Sequence, residues 1–118
     1  MKETMYVFKV DSQYRITIPA MARKLYCFEK DVYFKLQVIN EQKYLQISGK
    51  EIDFYHTTSK IDSKGRCIIP KEARDKFDIK CDELFDSFED EIDSNNRSLL
   101  LRKVLKRWLR WAQMPTFF

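Results

Sequence analysis

Eight basic side chains are the part of this sequence best equipped to do chemistry: Lys9, Arg15, Arg23 and Lys24 in one stretch, and Lys60, Lys64, Arg66 and Arg74 in another. They belong to two copies of one pattern. KVDSQYRITIPAMAR at residues 9–23 returns as KIDSKGRCIIPKEAR at residues 60–74, offset by 51 positions without a gap. Arginine presents a planar fork of N–H donors that fits a phosphate, or the O6/N7 edge of guanine, through two parallel hydrogen bonds. Two such clusters related by a pseudo-twofold suit a roughly palindromic duplex site. The alternative is local: Asp11 with Arg15, and Asp62 with Arg66, are spaced to pair across a tight turn. That pairing does not exclude contact with DNA.

Other chemistries have little to build on. The chain has one histidine, His56, which is too few for a zinc site or a His-based catalytic arrangement. No nucleophile with a base, no convincing pair of carboxylates and no phosphate loop appears, so an enzyme is not expected, and neither is a cofactor. Cys27, Cys67 and Cys81 are odd in number and form no CxxC pair, which reads as reduced thiols in a cytoplasmic protein. No run approaches the ~18 apolar residues of a membrane span, and the N-terminus lacks the apolar region of a secretion signal.

The elements that must position the basic residues repeat as well. In the first copy Met5 to Val10 alternates like a strand, Asp11 to Tyr14 is a turn, and Arg15 to Ile18 is a second short strand. Pro19 pre-sets the first helical φ of a helix over Ala20 to Tyr26. Val32 to Val38 and Lys43 to Ile47 then form a hairpin. The second copy reads as strand Tyr55–Ile61, turn Asp62–Gly65, strand Arg66–Ile69, helix Lys71–Phe77, strand Glu83–Phe88, a loop over the acidic stretch, and strand Ser98–Arg102. This is β-β-α-β-β twice, over residues 5–48 and 55–103. Each copy is near the size at which a separate core is marginal, so the halves are expected to share one.

The run Asp62, Gly65, Arg66, Ile69, Pro70 and Arg74, D-x-x-G-R-x-x-I-P-x-x-x-R, resembles the signature of the SpoVT/AbrB/MazE superfamily. Two copies in one chain are similar to the MraZ subgroup, with a shorter spacing. The resemblance implies a mostly β fold with short helices, in which two units make a swapped-hairpin, double-psi-like barrel with a basic face toward double-stranded DNA. It further implies a nucleoid-associated transcriptional regulator. The copies are not equivalent: Tyr14 stands where the family favours glycine, and Arg23-Lys24 contrasts with Arg74-Asp75. Recognition is therefore expected to be asymmetric, with the first copy the stronger binder. Tyr14 either stacks on a base or packs on its own hairpin.

Charge is distributed in blocks. Residues 1–81 carry 16 basic and 11 acidic side chains, residues 82–93 carry seven acids, and residues 97–110 carry six bases. The last two blocks are placed to screen each other. From Leu99 to Trp111 helical spacing puts Leu100, Leu101, Val104, Leu105, Trp108, Leu109 and Trp111 on one side and the bases on the other. Residues 104–118 thus read as an amphipathic helix and tail. Its apolar face, Val104, Leu105, Trp108 and Trp111 foremost, covers the protein's own barrel, pairs in a homodimer or higher oligomer, captures a protein partner, or adds a DNA or membrane-surface contact. The second functional class follows from the acidic loop and this tail: a protein-interaction module, either an antitoxin or a mobile-element protein that binds a host factor.

Overall fold

The computed structural model describes residues 2–51, 57–93 and 96–104. Along the chain lie β1 Lys2–Lys9, β2 Arg15–Thr17, α1 Ala20–Leu25, β3 Asp31–Ile39, β4 Gln42–Ser48, β5 Thr57–Lys60, β6 Arg66–Ile68, α2 Lys71–Phe77, β7 Leu84–Asp93 and β8 Asn96–Lys103. The β-β-α-β-β order occurs twice.

Equivalent residues make the same local structure in both copies. Pro19 and Pro70 stand immediately before α1 and α2 with φ −57°, and their carbonyls accept from the N–H groups of Arg23 and Arg74 at 2.9 Å. Both helices end at left-handed residues, Cys27 at φ 60° and Asp78 at φ 53°. There the N–H groups of Phe28 and Ile79 return to the carbonyls of Arg23 and Arg74 at 2.9 Å, satisfying last-turn acceptors. The β3–β4 hairpin turns on Asn40 and Glu41, both at positive φ, the two-residue geometry that matches strand twist.

The strands form an antiparallel six-stranded sheet in the order β1-β7-β8-β4-β3-β5, and a separate β2–β6 ribbon. Each copy's first strand lies against the other copy's hairpin: β1 pairs with β7, and β5 with β3. The hairpins meet at β4–β8, where Leu45 faces Leu101 and Ile47 faces Leu99. Neither copy completes its sheet alone. One core follows, with Ile16, Ile18, Cys67 and Ile69 from the ribbon and its flanks, Ala22, Ala73 and Phe77 from the helices, and Phe8, Phe34, Leu45, Ile47, Phe85, Leu99 and Leu101 from the sheet. The result is a mostly β domain with two short helices.

One expectation is corrected and one open boundary is decided. The acidic stretch is not a loop, because β7 continues to Asp93. Three of its acids are opposed by bases on β8: Arg102 reaches Asp86 at 2.9 Å, Arg97 reaches Glu89 at 3.4 Å and Lys103 reaches Glu83 at 3.5 Å. Opposite charges on adjacent strands make that segment a favourable pairing partner. The strand expected over Ser98–Arg102 is present within β8, so Leu99 to Leu101, which also fit helical spacing, are strand. All three are fully buried between β7 and β4, as a continuous apolar run requires when both faces of a strand are covered. Val104 still donates its N–H to the Leu84 carbonyl at 2.9 Å. The expected tail helix, with Leu105, Trp108 and Trp111, lies outside the described residues. Among the described residues no helix is long and apolar enough to cross a membrane.

Candidate nucleic-acid interface

The turns that precede β2 and β6 are built identically. Asp11 accepts from the N–H groups of Gln13 and Arg15 at 2.8 and 2.9 Å, and from Arg15 Nε at 2.8 Å. Asp62 accepts from Lys64 and Arg66 N–H groups at 2.9 Å each and from Arg66 Nε at 2.8 Å. Local turn pairing is therefore real, and it orients both guanidinium groups while leaving their side chains 26% and 33% exposed. Burial works to raise the Asp11 carboxyl, but the hydrogen bonds from Arg15 and Gln13 outweigh it and hold the group below the usual range. At Asp62 the Arg66 N–H is the leading cause, and the balance is again downward.

These directions fix the sign of a pH effect. A carboxylate with a folded pKa below its unfolded value of about 3.9 stabilises the fold above that value, and this contribution is lost as pH falls through the folded pKa. A double Asp11→Asn, Asp62→Asn variant should therefore show a shallower loss of stability below about pH 4 than the parent, measured by urea midpoints. Parallel acid limbs would show that these carboxyls titrate normally.

In the ribbon Arg15 pairs with Ile68, Ile16 with Cys67, and Thr17 with Arg66. Ile16 and Cys67 are buried, so alternation turns Arg15, Thr17, Arg66 and Ile68 to the opposite, outer face. Burial first, then the charge of Asp62, pushes the Cys67 thiol up to about 12, so it stays protonated and fills the core. Cys27 is exposed and Cys81 half-buried, both free thiols.

Arg23 and Arg74 each reach the turn of the other copy. Arg74 holds its guanidinium 4.4 Å above the Tyr14 ring, and Arg23 packs on Gly65. Tyr14 and Gly65 occupy equivalent positions, both at positive φ, 59° and 82°. Their carbonyls accept from Ile69 and Ile18 N–H groups at 2.8 Å, which ties each turn to the other copy. Where the first copy fills the space with an aromatic ring, the second fills it with an arginine against bare backbone. A Cβ on Gly65 would stand 2.7 Å from the Ile18 carbonyl and 2.9 Å from Arg23 Cζ. Gly65→Ala is expected to cost on the order of 2 kcal/mol, combining left-handed strain with crowding. An unchanged denaturation midpoint would mean that the turn relaxes without cost.

The remaining basic candidates are exposed at strand ends, in a turn and on a helix. Lys9 and Lys60 are exposed at the ends of β1 and β5, Lys9 4.0 Å from Asp82 and Lys60 in register with Asp31. Lys64 is exposed in the second turn, and Lys24 is exposed in the last turn of α1. Thr17 and Ile68 escaped the sequence reading. Alternation from Arg15 and Arg66 would have found them, since each lies two residues along the strand.

No protein-family model matches the chain. No curated protein matches it either. Among solved structures it is similar to the solution structure of PHS018 from Pyrococcus horikoshii, with 26% identity, a TM-score of 0.46, and coverage of 83% of this chain and 87% of that one.

Proposed function

We propose that this chain is a DNA-binding transcriptional regulator of the SpoVT/AbrB/MazE type, which holds duplex DNA on the outer face of the β2–β6 ribbon. The observation that carries the reading is that face itself. Its four positions are Arg15, Thr17, Arg66 and Ile68, with the arginines diagonal to each other and no carboxylate among the four. An antiparallel two-stranded ribbon is one of the shapes that the major groove, about 12 Å wide, admits. The reciprocal pairing of β1 with β7 and β5 with β3 supports a swapped-hairpin arrangement within one chain. Lys9, Lys24, Lys60 and Lys64 supply phosphate contacts, while Arg23 and Arg74 position the turns. Of the acids that a protein-interaction module would present, Asp86 and Glu89 on β7 and Glu83 just before it are paired with Arg102, Arg97 and Lys103.

Phosphate contacts release counterions, so log affinity should fall linearly with log salt. Fluorescence anisotropy with random and selected duplexes tests this. Absence of binding to both at about 50 mM salt would end the regulator reading.

A further inference from the structure

Two corners of the ribbon face repeat in their arginines and differ in what stands beside them. Arg15 has Ile68 opposite it and Gln13 in the turn before it; Arg66 has Thr17 opposite it and Lys64 in the turn before it. Ile68 is an apolar side chain, 51% exposed, on an otherwise polar face. Directly opposed residues of an antiparallel pair have Cβ atoms about 4.5–5.5 Å apart, so an arginine and its neighbour address the same or adjacent base pairs.

Resting on the DNA-binding reading above, we infer that Ile68 is a specificity determinant that selects thymine through its 5-methyl group, and that the chain binds a site with two unlike halves. Isoleucine has no donor or acceptor to satisfy a base edge, and the one apolar feature of the major-groove edge is the thymine methyl. At the other corner Thr17 carries a methyl and also a hydroxyl that donates and accepts, so it is not confined to thymine and tolerates several bases. The turns add to the difference. Gln13 matches the N6/N7 edge of adenine, whereas Lys64 matches guanine or a phosphate. The half-site under Arg15 is therefore defined by thymine and adenine, and the half-site under Arg66 by guanine and backbone contacts. The near-symmetry of the backbone does not extend to the bases it prefers.

Selection of duplexes by the full chain, followed by binding to deoxyuridine-substituted versions, tests this. The expected product is a non-palindromic site with thymine in one half. Replacing that thymine by deoxyuridine should weaken binding about three- to fivefold, the worth of one buried methyl. In Ile68→Ser that sensitivity should vanish. In Thr17→Ile, selected sites should carry thymine at the matching position of both halves. Both residues are exposed, so the variants should melt like the parent, and melting is measured alongside. A palindromic site, or unchanged deoxyuridine sensitivity in Ile68→Ser, overturns the inference while leaving DNA binding intact. A protein that binds no duplex overturns both.

Discussion

Arg15→Ala and Arg66→Ala should each weaken binding to a selected duplex by about 1–3 kcal/mol while barely shifting the melting transition. Each removes a guanidinium held at the ribbon face by a 2.8 Å bond from Nε to its own turn aspartate. An ion pair this accessible to water contributes little to stability, typically within about 1 kcal/mol. The aspartate keeps its bonds to two backbone N–H groups in either variant, so the turn retains its internal support. The effects on affinity and stability are thus separable. If either variant loses its cooperative transition, the arginine is a structural part of the turn and the interface assignment fails. Lysine substitutions refine the result: Arg15→Lys keeps the charge but lacks the fork, so salt dependence should persist while base selectivity at that position relaxes.

Leu101→Ala should cost about 2–5 kcal/mol and lower the melting temperature by on the order of 10 °C or more, through one transition that takes both halves of the chain with it. Leu101 is fully buried on β8 and faces Leu45 on β4, at the seam between the two hairpins. Truncation leaves a void that both copies border. The β1–β7 and β5–β3 pairings then transmit the loss, since each copy's first strand depends on the other's hairpin. Calorimetry and amide exchange measured on strands of both copies check this. Two transitions, with only the second copy affected, would show that the copies fold as separate units.

Much of this was legible in the chain itself. The repeated D-x-x-x-R-x-x-I-P pattern determines two equal turns, because an Asp side chain that accepts backbone N–H groups two and four residues on needs no distant partner. The short helices are local too, since proline before them and left-handed residues after them act within a few positions. The outer-face placement of Arg15 and Arg66 follows from alternation around Ile16 and Cys67.

What local pattern could not determine is which strand meets which. The acids from Glu89 to Asp93 read as a loop, because strand propensity counts charge as unfavourable; pairing with β8, which sets Arg97 beside Glu89, continues β7 through them. Leu99 to Leu101 satisfied helical spacing as well as an apolar strand run, and burial between β7 and β4 decided it. The crossing of Arg23 to Gly65 and of Arg74 to Tyr14 belongs to the same class. Those partners lie about forty to sixty residues apart, and no spacing rule within a turn or helix reaches that far. Only the packing of one copy into the other brings each arginine to its turn.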